Sequence, residues 1–456
     1  MLKRLRRKKL VLAGGDFLLI LASFYLSYAI RHGAYINVLF SYTVALVFSV
    51  IVFISLFYIV DVYNLERKLY RINYLLRLAV AIIIANTVIA VALYFFDPLR
   101  YSRAVITLNY PIIFLLLFFW RYIYEEFFRH ERAPVRVLIV GAGTTGKKMC
   151  VDLDKYDYFK VIGFLDDDEE KKGLVIGSTK VIGDTNMLMP LVENNKIDIV
   201  VIAVTHGASP LLLTKIMNAK FNGVDTYDMP TFYEHITGKI PILHISDSWL
   251  GYADFYGIRK NVYNTKGKVI LDMLIAVLGI VVSLPLMIVS VMAIKMWSRG
   301  PVLFLQERVG KNMKIFKIVK FRTMENGREN ERNFAGLKND PRITKAGLVL
   351  RLFRIDEIPQ LWNVLKGEMS VVGPRSLIKE EVDVFADKVP YFSLRHSVKP
   401  GITGWAQVNY KHGVEVKDAS EKLQHDLFYV KNLSLMLDLH IIIKTLKVVL
   451  FGKGAR

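Results

Sequence analysis

Five stretches of this chain are too long and too apolar for an ordinary soluble fold, and everything else must fold around them. Four come first: Leu10–Ile30, Val38–Val60, Leu75–Phe96 and Val105–Ile123. Each is near the ~20 residues that cross bilayer hydrocarbon as a helix, where the backbone must satisfy its own hydrogen bonds. Charge sets the expected orientation. The start, MLKRLRRKK, is basic, as are the stretches after span two (Arg67, Lys68, Arg71, Arg77) and span four (Arg121, Arg129, Arg132, Arg136). The other loops hold only Arg31, and Arg100 with Arg103. The positive-inside rule then puts the N-terminus and everything after span four in the cytoplasm. No small-residue cleavage site follows the first span, so it reads as a retained helix and not a signal peptide.

The fifth segment, Val269–Ile294, behaves differently. Lys260, Lys266 and Lys268 precede it, and Lys295, Arg299, Arg308, Lys311 and Lys314 follow it. Both flanks favour the cytoplasm. Pro285 removes a backbone hydrogen bond in mid-segment, and Ser283 is placed to bond the freed carbonyl. A broken helix that enters and returns on one face meets both facts. An ordinary kinked crossing would export all that follows.

Composition agrees with a membrane partner. The 456 residues are 53% hydrophobic with a formal net charge of +20, which suits anionic lipid and anionic phosphates. Nucleic acid is the rival explanation. No zinc-finger spacing or RNA-binding signature is present, and the basic residues flank apolar spans, so no nucleic-acid partner is expected. The single Cys150 excludes an intramolecular disulfide and fits a cytosolic face.

Ala133–His244 reads as α/β. A strand, Val135–Val140, runs into GAGTTG (Gly141–Gly146) and a helix. A second strand, Val161–Leu165, ends in Asp166, Asp167 and Asp168, and Ile197–Val204 is a third. That is a dinucleotide-binding fingerprint in context, with Gly141, Gly143 and Gly146 as cofactor-binding candidates at a helix N-terminus. No catalytic set accompanies it, so a structural or regulatory role is favoured over a redox site. Asp247–Asn264 reads as a linker.

The chemistry concentrates in FRIDEIPQLWNVLKGEMSVVGPR, Phe353–Arg375. Asp356 and Glu357 are adjacent and precede a proline-started amphipathic run. Two acids in a helix first turn are ordinarily solvated. Here Arg351, Arg354 and Arg375 surround them, with Lys320 and Arg322 upstream. Adjacent carboxylates repel, and a divalent cation or a bound phosphate system relieves that repulsion. Carboxylates with cations are what phosphoryl transfer needs.

This segment continues a series of blocks in one order: KFRTM (Lys320–Met324), NDPRITKAG (Asn339–Gly347), SVVGPR (Ser370–Arg375), VKPGITGWAQV (Val398–Val408) and HDLFYVKNLSLMLDL (His425–Leu439). From about Lys266 to the C-terminus the chain resembles the bacterial sugar transferases, the polyprenyl-phosphate hexose-1-phosphate or monotopic phosphoglycosyl transferases. Two departures are visible. Pro374-Arg375-Ser376 stands where the family usually shows Pro-Arg-Pro, and Leu284 separates Ser283 from Pro285 where Ser-Pro is often adjacent.

The resemblance implies a nucleotide-diphosphate sugar, expected to be a UDP-sugar, and a polyprenyl phosphate as substrates. It implies Asp356 as nucleophile with Glu357 beside it, and Mg2+ held at Asp356 and Glu357. Phosphate contacts would come from Lys320, Arg322 and Arg375, then Arg342, Arg351 and Arg354. Large members carry four spans and a Rossmann-like domain, so the expected fold is a membrane α/β protein. Its parts are a four-helix transmembrane region (1–130), a Rossmann-like parallel α/β domain (131–246), a linker (247–265) and a mostly helical catalytic domain (266–456) with a re-entrant membrane helix (269–294). The expected location is the bacterial inner membrane, with membrane lipids and a homodimer mate among the partners.

Other features are weaker. Glu325–Asn339 reads as a mobile loop near the site, Asp340 as a turn cap, and Leu433–Leu450 as an amphipathic helix that lies in the interface or packs internally. His425 and Asp426 divide evenly between a helix-face hydrogen bond and a site role, and Trp362 and Trp405 read as packing or interface residues. A membrane nucleotide-sugar dehydratase would need a Tyr-x-x-x-Lys pair on a helix. Tyr156/Lys160 and Tyr256/Lys260 have the spacing but not the context. A non-catalytic scaffold for polysaccharide assembly leaves the acidic pair and its cations unexplained.

Overall fold

The computed structural model describes residues 2–33, 43–60, 62–63, 72–95, 103–128, 134–194, 196–204, 209–325, 341–410 and 416–450. They form two compact units, residues 1–136 with 154–160, and residues 137–153 with 161–456.

The first unit contains helices at the four expected spans: Leu2–His32, Thr43–Ile59, Ile72–Phe95 and Arg103–Phe127. Leu10–His32, Tyr74–Ala92 and Ala104–Phe127 are long and apolar enough to cross a membrane, while Thr43–Ile59 is shorter, at 17 residues. The expected start of the second span, from Val38, lies outside the described residues. Leu12, Ile20, Phe53, Phe57, Leu78 and Ile113 form the bundle core. Leu18, Val47, Ile83 and Phe119 are exposed, an apolar outer surface suited to lipid.

Arg121 corrects the charge count used for orientation. It lies inside the last helix, 1% exposed, and forms a two-pronged pair with the Asp16 carboxylate at 2.5 and 2.8 Å. Its Nε donates to the Tyr74 hydroxyl at 2.8 Å. A bidentate partner plus a third acceptor lets a guanidinium stay inside the bundle. Arg77, too, belongs to a helix and not a loop. Breaking such a pair leaves one charge buried and uncompensated, at about 3–5 kcal/mol. Asp16→Leu should therefore lower the unfolding temperature of the detergent-solubilised protein far more than Asp16→Leu combined with Arg121→Met. Equal shifts would remove the pair's importance.

In the second unit, six strands form a sheet in the order β3-β4-β2-β1-β5-β6. They are β1 (Val135–Val140), β2 (Phe159–Leu165), β3 (Val175–Ile176), β4 (Thr179–Gly183), β5 (Ile199–Ile202) and β6 (Asp225–Asp228). β1 pairs in parallel with β5, β5 with β6, and β2 with β4, whereas β3 is antiparallel. Near-continuous apolar runs such as VRVLIV suit strands buried on both faces, and Leu138, Val140, Leu165 and Val200 form the core. The glycine loop follows β1 and leads into the helix Thr144–Leu153. Gly141 has φ +104°, and a Cβ on Gly146 would lie 2.0 Å from the Gly141 carbonyl oxygen. Only glycine permits that turn and that approach. Asp166, the acid expected after β2, is bonded to the loop itself: its carboxylate accepts from Ala142 N at 2.7 Å.

Residues 247–265 contain the helix Asp247–Tyr252. The Lys431 ammonium sits 4.6 Å over the Trp249 ring, and Tyr391 donates to Asp247. A π-helical turn, Tyr263–Gly267, leads into one helix of 30 residues, Lys268–Trp297, helical through Pro285. Only Asp272, Ala276, Ser290 and Ile294 of it are buried, one narrow stripe, while Val282 and Met296 are 79% and 76% exposed. Ser283 Oγ donates to the Gly279 carbonyl at 2.6 Å. It therefore does not bond the Val281 carbonyl freed by Pro285, because a helical serine reaches back four residues from its own position.

The remaining elements gather on this helix. β7 (Leu303–Val309) and β8 (Ile315–Phe321) form an antiparallel hairpin. β9 (Ser370–Val372) pairs in parallel with β10 (Gly401–Thr403). Helices Lys345–Leu352, Leu361–Leu365, Lys379–Lys388, Trp405–Asn409, Val416–Asn432 and Leu435–Leu450 complete the region. Phe316, Ile318, Val364, Val371, Tyr429 and Ile441 form its core with Ala276 of the long helix. The last helix packs internally on one face and leaves the other exposed. Asp438 and Ile441 are fully buried, whereas Met436 is 75% exposed.

Candidate active site

Asp356 and Glu357 lie in the 3-10 turn Ile355–Gln360, before the short helix Leu361–Leu365. Pro359 sits inside that turn and does not start the helix. Arg354 opens the turn with φ 55°, a left-handed conformation uncommon for a non-glycine residue and frequent at functional sites. Asn363 fixes the turn to the hairpin. It is fully buried, accepts from Val319 N at 3.0 Å and donates to the Lys317 carbonyl at 2.8 Å. Lys320, on the same strand, is thereby placed beside the acids. Sequence reasoning missed Asn363, which carries no charge to draw attention.

The two acids have different surroundings. Glu357 meets Arg375 at 3.1 Å, Arg354 at 3.6 Å and Lys320 at 3.8 Å. Burial alone would push its carboxyl up, but Arg375, Lys320 and Arg354 outweigh that and hold it down at about 2. No hydrogen bond or ion pair holds Asp356 among the described residues. Burial and the Glu357 charge raise its pKa above the usual carboxylate range, against the pull of Lys320, Arg351 and Arg375. Burial, with Arg375 beside it, pushes the Lys320 ammonium down to about 8. Two neighbouring carboxylates thus differ in kind: Glu357 is enclosed by three cations, whereas Asp356 has no partner among the described residues.

The other expected cations separate. Arg351 donates to Thr323 Oγ1 at 2.8 Å and acts on Asp356 by charge. Arg322 is 2% exposed and donates to Ser298 O and Oγ at 3.2 and 2.6 Å, so it ties down the end of the long helix and does not join the Glu357 cluster. Arg342 is 3% exposed on the segment that bridges to Met324. Arg308, read as a membrane-flank charge, instead lines one cleft with Lys320, Gln360, Arg375 and Ser376. It donates to Gln306 Oε1 at 2.6 Å, and its buried Nε has no partner among the described residues. The loop Glu325–Asn339, beyond Glu325, and Asp340 lie outside the described residues. Gly141 and Gly143 belong to the loop after β1, and Gly146 to the first turn of the helix Thr144–Leu153.

A magnesium ion usually takes one or two carboxylates and fills its remaining positions with substrate phosphate and water. Among the described residues no group of three acids, histidines or cysteines forms a metal cluster. The unpartnered Asp356 fits the carboxylate ligand of such an ion. Glu357, enclosed by three cations, fits better as their counter-charge than as a second ligand. The Tyr-x-x-x-Lys spacings find no helix: Tyr156 precedes β2, and Tyr256 lies in a turn. Trp405 packs, stacked on Phe428 with Nε1 donating to the Gly238 carbonyl at 2.7 Å, whereas Trp362 is 54% exposed.

Residues 263–452 match the family model described as bacterial sugar transferase, and residues 58–230 match one described as a CoA-binding domain. A UDP-N-acetylgalactosamine-undecaprenyl-phosphate N-acetylgalactosaminephosphotransferase of Aeromonas hydrophila is 41% identical over 237 residues, 51% of this chain and 54% of that protein. A UDP-glucose:undecaprenyl-phosphate glucose-1-phosphate transferase of Xanthomonas campestris pv. campestris is 30% identical over 316 residues, 67% of this chain and 63% of the other. The chain therefore spans between half and two thirds of those relatives. An uncharacterized sugar transferase of Bacillus subtilis (strain 168), EpsL, is 37% identical over 187 residues, 41% of this chain and 89% of its own. A solved structure, UDP-D-quinovosamine 4-dehydrogenase from Vibrio fischeri, aligns with 24% of this chain and 88% of its own at 25% identity, with a TM-score of 0.20, too low to bear on fold or function.

Proposed function

The chain belongs to the bacterial sugar transferase family, and from that premise we propose that it transfers a sugar 1-phosphate from a nucleotide-diphosphate sugar to a polyprenyl phosphate. The observation that carries this reading is the unpartnered Asp356 carboxylate beside a cluster of cations anchored on Glu357. Relatives named for UDP-sugars and undecaprenyl phosphate favour those two substrates here.

In the first step an Asp356 oxygen attacks the sugar-bearing phosphorus. The bond from that phosphorus to the bridging oxygen breaks, and the nucleoside monophosphate leaves with the electron pair. In the second step a phosphate oxygen of the lipid attacks the same phosphorus and frees the Asp356 carboxylate. A phosphoanhydride leaving group makes covalent catalysis by a carboxylate chemically reasonable. Lys320, Arg375 and Arg308 neutralise the diphosphate, with Arg351 and Arg354 at the edge. Magnesium, held at Asp356 with Glu357 close by, would shield further charge on the diphosphate.

The membrane arrangement follows the same reading. The four N-terminal helices anchor the chain in the inner membrane, and the sheet region and the active site face the cytoplasm. The long helix keeps both of its ends on that face. The sheet region, Rossmann-like in its glycine loop, serves a structural or regulatory role.

The direct test is a screen of nucleotide sugars with purified protein and undecaprenyl phosphate, read by nucleoside monophosphate release. Release with no sugar nucleotide would overturn the proposal. The pH profile tests the site. Asp356 must be ionised and Lys320 protonated, so kcat/KM should rise through an acid limb set by Asp356. It should fall as pH passes about 8, where Lys320 loses its charge. Lys320→Arg should move the alkaline limb upward, and Glu357→Gln should move it downward by removing a charge that supports the ammonium. An unmoved limb in both variants would exclude Lys320 as its source.

A further inference from the structure

Arg375 carries the shortest contact to Glu357, and its backbone is held from behind. Three successive carbonyls are occupied. That of Pro374 accepts from Gly401 N at 2.9 Å, that of Arg375 from Arg395 at 3.0 Å, and that of Ser376 from Arg308 at 3.4 Å. With serine at 376, no ring fixes the backbone just after Arg375, so these bonds set its course. Arg395 is 6% exposed and pairs at 2.8 Å with Asp426, which is 1% exposed on the helix Val416–Asn432. Burying two opposite charges is a poor route to stability, since apolar residues of similar volume serve as well or better. The pair therefore needs another reason, and its one hydrogen bond toward the site supplies it.

We propose that Arg395 and Asp426 are positioning residues for Arg375. Asp426 fixes the Arg395 guanidinium, Arg395 fixes the Arg375 carbonyl, and the Arg375 guanidinium is thereby aimed at both Glu357 and the substrate phosphate. A cation displaced by about 1 Å loses much of its value in the transition state. The inference rests on the phosphoryl-transfer reading of the site and gives Asp426 a role the sequence left undecided.

A double-mutant cycle tests it. Arg395→Met combined with Asp426→Leu removes both charges and leaves neither unpaired. This change should lower kcat/KM by about 10–100-fold with Arg375 in place, yet by less than about 3-fold in an Arg375→Lys background, with no large change in unfolding temperature. Arg395→Lys, which keeps a cation for Asp426 but shortens the reach, gives the same comparison should the apolar pair fail to fold. The cycle is also run on the dissociation constant for uridine diphosphate, which requires no transfer. A wild-type protein that releases no nucleoside monophosphate would overturn the proposed function, while the binding cycle still decides the relay. Equal losses in the two backgrounds on either readout would overturn the positioning role, because a merely structural pair costs the same factor whatever residue stands at 375.

Discussion

Asp356→Asn should abolish transfer, by at least about 1,000-fold, in a protein that stays folded and membrane-bound. Loss of a covalent nucleophile costs orders of magnitude, and the change keeps the size of the side chain. The structure sharpens the expectation. No partner among the described residues holds the Asp356 carboxylate, so the asparagine breaks no ion pair there and should leave the unfolding temperature nearly unchanged. Glu357 cannot take over, because Arg375, Lys320 and Arg354 enclose it. Mixed with sugar nucleotide alone, the wild type should release a stoichiometric burst of nucleoside monophosphate and carry the phosphosugar on the peptide around Asp356. The variant should show neither. Near-normal turnover by Asp356→Asn would reject the nucleophile assignment. An absent adduct with intersecting initial-rate lines would favour direct attack by the lipid phosphate.

The acidic pair was legible because its residues are adjacent and chemically conspicuous. Which cations reach it was not. Lys320 and Arg322 have the same parity, and an extended strand would put them on one face. The strand ends at Phe321, so Arg322 leaves the alternation and turns to Ser298. Arg308 was present as a charge but was assigned to the membrane flank. Its place in the cleft depends on the β7–β8 register, in which Arg308 faces Phe316 and Phe304 faces Lys320, and register is not visible in one strand alone. Asn363 acts through two backbone bonds, which composition cannot signal. The apolar spans were legible by length, since no soluble fold needs such runs. Arg121 was misread because a buried guanidinium and a flanking one look alike until Asp16 is placed opposite, and the two are far apart in sequence.

Single cysteines at either end of the helix Lys268–Trp297 should both stay unlabelled in intact cells. Asp272, near the start, accepts from Ser370 Oγ and Val371 N, each at 3.0 Å. Near the other end, Ile294 shares a core with Phe321 and Leu350, and Ser298 accepts from Arg322. Asp272 and Ile294 are about 33 Å apart along a straight helix at 1.5 Å per residue, roughly the thickness of bilayer hydrocarbon. A crossing helix would then require one polar domain, with Glu357 and its cations, to run beside it through the lipid, at a cost of several kcal/mol for each charged group. Seating both ends on one domain at one face avoids that cost. The narrow inward stripe packs on the domain and leaves the remaining apolar surface exposed, as a lipid-facing helix requires. The single native Cys150 is replaced by serine, and one cysteine is placed at Lys266 and, in a separate variant, at Arg299. Both positions are exposed in the structure. With a membrane-impermeant thiol reagent, labelling at each should rise from background to completion only when the cells are opened. Labelling of Arg299→Cys in intact cells would mean a full crossing, and the active site would then have to lie on the outer face.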